Sequence, residues 1–357
     1  MIKLIEVIDE LEMGGAQHVV YQLISHLDKT KFDVTIICLK KARPFASMLE
    51  QQIRQEGYRI VYLTAKKKKW KYFQLGWQIL KLKPNIIHAH QTGVVAAAWG
   101  TLLRIKTVVT IHTSPWRAFI FRTPIRVFRA TRKFHSVITV AISEYNKKIC
   151  QEYWKLQDKD IYFVNNGIDI SNCIPISHDN FSFINVGRQD ENKNQILIIK
   201  AFAKFLEKKR EKNFLLYLVG DGDKQHYLKK NVELLGISDK VVFTGYISNP
   251  KSYLGIADVY ISSSHREGLS LSVLEAMAFG IPVIATDAGG VRDLARENGF
   301  LISDDDEKAM IEAMEFLYKN PLICKKMGKK SLEMVQQYTV EKMAEGYEKI
   351  FEKFARK

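Results

Sequence analysis

The residues of this sequence best suited to chemistry lie between Ser264 and Gly280, in the stretch SHREGLSLSVLEAMAFG. Two carboxylates, Glu267 and Glu275, stand there with seven residues between them. Gly268, directly after the first, permits close approach of a ligand to the backbone. Ser270 opens a helical run whose N-terminal N–H groups can face a phosphate. Glu275 lies about two turns into that run, where a carboxylate can accept hydrogen bonds from the vicinal hydroxyls of a ribose. Two solvated acids on a surface helix are the plain alternative, and the small and apolar residues around them argue against it.

A second pattern is GRQDENK, Gly187 to Lys193, directly after an apolar strand pattern at 183–186. Arg188 and Lys193 could clamp a diphosphate there, the arginine as a planar fork and the lysine as a point charge; the acids beside them also allow ordinary surface charge. A third is MGGAQ, Met13 to Gln17, where Gly14 and Gly15 would let backbone N–H groups approach an anion at a helix start, or simply make a tight turn. The spacing is not GxGxxG, so the dinucleotide fingerprint is absent. Asp287-Ala288-Gly289-Gly290-Val291-Arg292-Asp293 repeats a glycine pair after a strand, and Asn298-Gly299 follows. His112 closes an apolar strand pattern holding Val108, Val109 and Ile111, a place for a site residue or a structural cap. His90, Ser143 and Asn166-Gly167-Ile168-Asp169 are further polar landmarks.

The elements that must position these residues alternate between strand and helix. Strand patterns at 3–8, 32–39, 59–63, 86–90, 107–112, 136–141 and 161–164 are mostly separated by helical ones, including 16–27 and 47–57. The segment 169–182, with Pro175, Asn180 and several serines, breaks the series. Strands at 183–186, 214–219, 241–244, 259–262 and 282–285 then alternate with helices at 194–207, 226–235, 270–279 and 307–318. This is α/β with mostly parallel sheets. The expected division is an N-terminal domain over 1–172, a second over 173–338, and a last helix over 339–357 that packs back on the first. Ligands of such sheets bind beyond the carboxyl ends of the strands, so the expected site is the cleft between the domains.

Charge is distributed unevenly. The 357 residues carry 54 Lys+Arg and 39 Asp+Glu, a net +15. Residues 57–143 contain no Asp or Glu but 16 Lys+Arg, which leaves 38 basic against 39 acidic residues elsewhere. Within that segment Lys66, Lys67, Lys68, Lys69, Trp70 and Lys71 form one cluster. A helix opened by Thr123-Pro124 would place Arg126, Arg129 and Lys133 beside Phe121, Ile125 and Phe128, with Arg122 nearby. Basic and aromatic residues side by side suit an anionic membrane surface, and a solvated basic face is the alternative. No apolar run reaches the ~18 residues that span a bilayer, the N-terminus has no signal-peptide pattern, and Cys38, Cys150, Cys173 and Cys324 show no CxxC spacing. A cytoplasmic protein with reduced thiols is expected.

The E-x7-E block followed by GIPVIA, Gly280 to Ala285, resembles the retaining glycosyltransferases of family 4, which have the GT-B fold of two Rossmann-like domains. Gly14-Gly15 is similar to that family's first-loop glycine pair, Arg188 and Lys193 to its donor-phosphate cations, and Gly220-Asp221-Gly222 and Gly289-Gly290 to later turns; His112, Ser143 and Asn166-Gly167 resemble weaker landmarks. Asp293 stands where many members have Glu. The resemblance implies transfer of a sugar from a nucleoside diphosphate sugar, UDP-linked in this reading, with retention, no cofactor and no catalytic metal. It implies catalytic roles for His112, Arg188, Lys193 and Glu267, with His112 and Glu267 on the donor sugar. Donor binding would fall to Gly15, Gly187, Thr244, Gly245, Tyr246, Gly268, Leu269, Ser270, Leu271 and Glu275. Acceptor binding would fall to Gly14, Gly15 and Gln17, the acceptor being a polyprenyl-diphosphate-linked glycan of surface polysaccharide assembly. Lys66–Lys69, Trp70, Lys71, Arg122, Arg126, Arg129 and Lys133 would contact the inner face of the cytoplasmic membrane. The competing expectations are a soluble acceptor, a sugar-nucleotide epimerase of the same fold, and a nucleic-acid-binding protein using the basic segment, for which no recognisable binding module is present.

Overall fold

The computed structural model describes residues 1–12, 14–41, 48–90, 93–112, 137–209 and 213–355. The chain forms two compact units, Met1–Asp169 with Thr339–Lys357, and Ile170–Tyr338. The helix expected from Thr123 onward, with Arg122, Arg126, Arg129 and Lys133, falls outside the described residues.

Unit 1 is built on strands β1 (Ile2–Ile8), β2 (Phe32–Cys38), β3 (Arg59–Tyr62), β4 (Ile86–Ala89), β5 (Lys106–Ile111), β6 (Val137–Ala141) and β7 (Ile161–Phe163), in the order β3-β2-β1-β4-β5-β6-β7. Every pairing is parallel. A parallel sheet is covered on both faces, and its central strands therefore read as unbroken apolar runs; the VITVA of β6 is buried at all five positions. The covering helices are α1 (Gly15–His26), α2 (Met48–Gln55), α3 (Lys68–Leu82), α4 (Gly93–Leu102) and α5 (Glu144–Trp154).

Unit 2 holds strands β8 (Phe181–Val186), β9 (Phe214–Val219), β10 (Val241–Gly245), β11 (Val259–Ser262), β12 (Val283–Thr286) and β13 (Gly299–Ile302), ordered β10-β9-β8-β11-β12-β13 and again parallel throughout. Its helices are α6 (Gln195–Glu207), α7 (Gln225–Leu234), α8 (Lys251–Leu254), α9 (Leu271–Ala278), α10 (Glu307–Lys319) and α11 (Pro321–Val335). The core joins Phe183, Phe202, Phe205 and Phe214 with Leu216, Met310 and Met314. The strand β13 and helix α11 were not among the expected elements.

The last helix, α12 (Val340–Phe354), belongs to unit 1. Thr339 caps it by accepting from the Lys342 N–H, and Met343, Tyr347, Ile350 and Phe351 form its buried face. Glu348 accepts from the Asp28 N–H at 2.7 Å, which ties the helix to the end of α1. Since all strands of a sheet run parallel, their carboxyl ends share one edge, and that edge gathers the site residues of each unit.

Candidate active site

In unit 2 three loops meet at the carboxyl ends of β8, β11 and β12. The loop after β8 is held from beneath by Gln195, buried at the start of α6, whose amide donates to the Arg188 carbonyl at 3.1 Å and to Asn185 Oδ1 at 3.3 Å. Asp190 folds the loop back on itself, accepting from the Lys193 N–H at 3.0 Å. The loop after β11 is stitched to it, with the His265 N–H donating to the Asn192 carbonyl at 2.8 Å and Asn192 Nδ2 to the Arg266 carbonyl at 3.0 Å. The loop after β12 pins the other side. The Glu267 N–H donates to the Ala288 carbonyl at 2.7 Å, and the Gly290 N–H to the Glu267 carbonyl at 3.0 Å. Here glycine is obligatory, because a Cβ on Gly290 would stand 1.7 Å from the Gly268 carbonyl oxygen. The second glycine pair, Gly289-Gly290, thus has a packing role: Gly290 lets one backbone press on the next and fixes Glu267.

These constraints bring Lys193 and Glu267 together. Lys193 Nζ donates to Glu267 Oε1 at 2.5 Å, and Ser264 Oγ donates to the same oxygen at 2.8 Å. Both charged side chains are mostly sheltered, at 21% and 14% exposure. Ion pairs in such partly desolvated settings are held more strongly than surface pairs. Arg188 behaves differently. Its guanidinium is 76% exposed and donates to Asp190 Oδ2 at 2.6 Å, so it is a tethered arm beside the pair. Glu275 lies on α9, half-buried, with no hydrogen-bond partner among the described residues. Burial pushes its carboxyl up from the ordinary 4.5 to about 7, opposed by the more distant charge of Lys251. A sheltered carboxyl that lacks donors is a place for a ligand's hydroxyls.

The remaining donor-side residues flank this centre. Gly187 lies against Lys193, 3.4 Å from a Cβ position to its Cε. Gly220, at φ 130°, faces the Gly187 carbonyl so closely that a Cβ would meet its oxygen at 2.1 Å. Gly245 ends β10 at φ 69° and accepts from the Gly220 N–H at 3.0 Å, Thr244 lies half-buried before it, and Tyr246 is exposed just beyond. Leu269 and Ser270 are buried, and Gly268 and Leu271 are half-buried at the start of α9. Asp293, in the short turn after Gly290, accepts from Arg296 at 3.4 Å.

In unit 1, Gly14 is the extended N-cap of α1 and Gly15 its first residue, both exposed, while Gln17 is buried with Oε1 2.6 Å from where a Gly14 Cβ would stand. The larger finding is a buried polar chain that ends on His112. The Glu6 carboxylate faces His88 Nδ1 at 2.9 Å and His90 Nε2 at 3.0 Å. His88 Nε2 meets Thr110 Oγ1 at 2.8 Å, which meets the Tyr347 hydroxyl of α12 at 2.8 Å. His90 Nδ1 meets His112 Nε2 at 2.8 Å. His112 Nδ1 is buried and unpartnered among the described residues.

One carboxylate settles the protons along this branch. Desolvation opposes a charge on Glu6, but the charge of His88 and the hydrogen bonds from His88 and His90 outweigh it and bring the carboxyl down to about 2. The carboxylate can only accept, so His90 presents Nε2–H to it. Burial, helped by His88, lowers His90 to about 4, so its other nitrogen is bare at neutral pH. That bare nitrogen accepts from His112 Nε2–H. Burial, with His90 and His88 adding to it, holds His112 well below 6.5, and its Nδ1 is left as an acceptor. Glu6, His88 and His90 also lie close enough together to hold a metal ion, and the same nitrogens and oxygens are hydrogen-bonded to one another at 2.9 and 3.0 Å.

Sequence reasoning had named His90 and His112 but not Glu6 or His88. The signal was there: a lone acid inside the apolar run IKLIEVI, and histidines two apart in IIHAH, which put both rings on one face of a strand. In the basic cluster, Lys66–Lys69 and Trp70 are exposed, and Lys71 is half-buried with its Nζ donating to the Leu39 carbonyl at 2.7 Å. None of the described helices is long and apolar enough to cross a membrane.

Comparison with known proteins follows the same division. A family profile described as "Glycosyl transferases group 1" matches residues 169–334, and one described as "Glycosyltransferase Family 4" matches residues 13–172. A Bacillus subtilis (strain 168) protein named as a glycosyltransferase, EpsD, is 39% identical over 175 residues, which span 47% of this chain and 45% of that protein. The UDP-Gal:alpha-D-GlcNAc-diphosphoundecaprenol alpha-1,3-galactosyltransferase of Escherichia coli is 24% identical over 326 residues, 85% of this chain and 84% of that one. Among solved structures, Anabaena HepE in complex with UDP matches with a TM-score of 0.82 at 17% identity, over 99% of this chain and 100% of that one. At that identity the likeness establishes the fold, GT-B.

Proposed function

We propose that this chain, which belongs to the group 1 glycosyltransferases of family 4, transfers a sugar from a UDP-linked donor to a polyprenyl-diphosphate-linked glycan, with retention at the anomeric carbon, in surface polysaccharide assembly. The observation that carries the reading is the Lys193–Glu267 pair at the strand ends, with the donor-less carboxyl of Glu275 on the helix that follows. The Escherichia coli relative, named for a UDP-galactose donor and a diphosphoundecaprenol acceptor, supports the choice of substrates.

In this mechanism the nucleotide's ribose hydroxyls donate to Glu275. The diphosphate takes Lys193, and the exposed arm of Arg188 swings onto it from Asp190. As the bond from the anomeric carbon to the diphosphate oxygen breaks, charge grows on the leaving group, and the two cations with the α9 N-terminus stabilise it where it develops. No cofactor is assigned. Glu267, still fixed by Ser264, accepts from hydroxyls of the donor sugar, and His112 offers Nδ1 to another. The acceptor hydroxyl attacks on the face the diphosphate leaves from, and its proton passes to a diphosphate oxygen. Gly14, Gly15 and Gln17 border the acceptor. The enzyme works peripherally on the inner face of the cytoplasmic membrane, where such an acceptor resides.

The test is a screen of UDP- and GDP-sugars for hydrolysis and thermal stabilisation, followed by transfer to a lipid-diphosphate-linked acceptor with the product anomer read by NMR. Lys193→Ala is expected to abolish transfer while leaving the protein folded. Near-normal turnover by that variant, or an inverted product, refutes the reading.

A further inference from the structure

The helix α3 carries two apolar faces, and only one is used by the fold. Leu75 and Ile79 are buried in the unit 1 core with Val7, Ile37 and Ile87. The helix is clamped there. Gly76 packs on Trp99 of α4 so closely that a Cβ would stand 2.3 Å from the indole, and Trp99 Nε1 donates to the Tyr72 carbonyl at 2.8 Å. On the outer side, Trp70, Phe73, Trp77 and Leu80 remain 56%, 60%, 65% and 48% exposed. At 100° per residue these four fall within an arc of roughly 80°. They form, with Thr64, Ala65 and Trp99, an open groove of about 570 Å³. Four large side chains on one stripe of a helix already anchored by its other face are a binding surface, not a core left unfilled.

Charge decides the occupant. Lys66, Lys67, Lys68 and Lys69 stand exposed at the N-terminal end of this stripe, within a stretch, residues 57–143, that holds 16 basic residues and no acidic one. A helix N-terminus is a poor place for cations as far as its own stability goes, so four of them there are better explained by an outside partner. Indole rings beside lysines match the boundary of an anionic bilayer, with rings at the headgroup level and ammonium groups on lipid phosphates. We propose that the Trp70–Phe73–Trp77–Leu80 face of α3 docks onto an anionic lipid bilayer, with Lys66–Lys69 holding its phosphates. This deepens the peripheral-membrane part of the function proposed above and rests on it.

The test uses the full chain and vesicles of equimolar phosphatidylglycerol and phosphatidylcholine, against phosphatidylcholine alone, in a flotation assay. Tryptophan fluorescence is recorded with bromine-labelled acyl chains as quencher. The wild type is expected to float with the anionic vesicles and to be quenched. Phe73→Ser/Trp77→Ser should lower the partition constant at least about tenfold and lose the quenching, with an unchanged melting temperature. Lys66→Gln through Lys69→Gln should weaken binding by about fivefold per lysine at low salt and remove its salt dependence. Inorganic phosphate that competes the protein off vesicles without any loss of quenching in the aromatic variant would show an ion site and overturn the proposal. So would wild-type flotation by the aromatic variant, or a concentration-dependent dimer that this variant disperses while vesicles bind neither form. Thermal stabilisation by UDP-sugars reads the catalytic proposal separately, so failure of one is distinguishable from failure of the other.

Discussion

If Glu275 receives the ribose of a nucleotide sugar, donor affinity must rise with pH. In the unliganded protein burial holds this carboxyl at about 7, against an ordinary 4.5. Ribose hydroxyls can only donate to it usefully when it is ionised, so binding pulls the carboxyl back toward its ordinary value. The diphosphate's own charge pushes the other way, but it is taken by Lys193 at the strand end, while Glu275 is four residues past the start of α9, roughly 6 Å along the axis. With a free value of 7 and a bound value of 4.5, linkage gives about tenfold tighter binding at pH 8 than at pH 6, ~1.4 kcal/mol, and release of about half a proton at pH 7.

A nucleoside diphosphate sugar suits the measurement, since both its phosphates are already esterified twice and do not titrate in this window. Calorimetry across that pH range, repeated in two buffers of different ionisation enthalpy, gives both the affinity slope and the proton count. Glu275→Gln should bind weakly at every pH and show no slope. An affinity that is flat or falls as pH rises, or a slope that survives Glu275→Gln, would refute the assignment. The unliganded protein offers a sign check. A folded value above the unfolded one contributes stability below pH 4.5 that is lost as pH rises to 7, so unit 2 without ligand should soften across that window and change little above it.

Unit 1 should respond in the opposite sense. Burial lowers His90 to about 4, so its contribution is intact above 6.5 and is lost on acidification toward 4, at about 1.4 kcal/mol per pH unit, and His112, held well below 6.5, acts in the same direction; hydrogen exchange resolved between the two units, with no acid-side loss in β4 and β5, would contradict this. Glu6→Gln offers one acceptor and one donor where the carboxylate offered two acceptors, so His88 and His90 can no longer both donate to it; nitrogen-resolved NMR should find a changed histidine tautomer, and an unchanged pattern at His88, His90 and His112 would break the inferred proton order. Gly290→Ala places a methyl 1.7 Å from the Gly268 carbonyl oxygen, and should cost at least about 2 kcal/mol by thermal melting and displace Glu267, seen as lost stabilisation by donor. An unaltered melting temperature would mean that the loop is not held as described.

The parts of the fold that sequence displays well are those with one dominant period. The run VITVA and the stretches ending in Gly187 and Gly220 are strands because nothing but a twice-covered sheet accommodates them. The strand β13 escaped because its four residues, GFLI, carry burial at only one position and open on the glycine of Asn298-Gly299, which reads as a turn. Gly299 is there for another reason: its Cβ would stand 1.8 Å from the Val283 carbonyl oxygen. Helix α11 was hidden by its three exposed apolar residues, Leu322, Ile323 and Leu332, which blur the stripe that periodicity relies on.

Site residues divide along a different line. Glu267 and Lys193 were legible because they follow closely on the strand ends Ser262 and Val186, and Glu275 because it lies on the helix that opens directly after the Glu267 loop, so spacing already encodes much of the geometry. The Glu6 chain was not, because its six members come from β1, β4, the position just past β4, β5, the loop after β5 and α12, and Tyr347 stands 237 positions from Thr110. Only strand order, β1 beside β4 beside β5, makes neighbours of Glu6, His88 and Thr110, through the registers Glu6↔His88 and His88↔Val108 and on along β5. A buried carboxylate in a strand is costly unless the neighbouring strand supplies donors. The sequence of β1 therefore poses a requirement that His88 of β4 and His90, just past its end, answer from one face. A lone acid in an apolar strand is thus a demand for partners on the adjacent strands, and pairing each such acid with imidazoles two apart on a neighbouring strand would have led from Glu6 to His112 once the strand order was known.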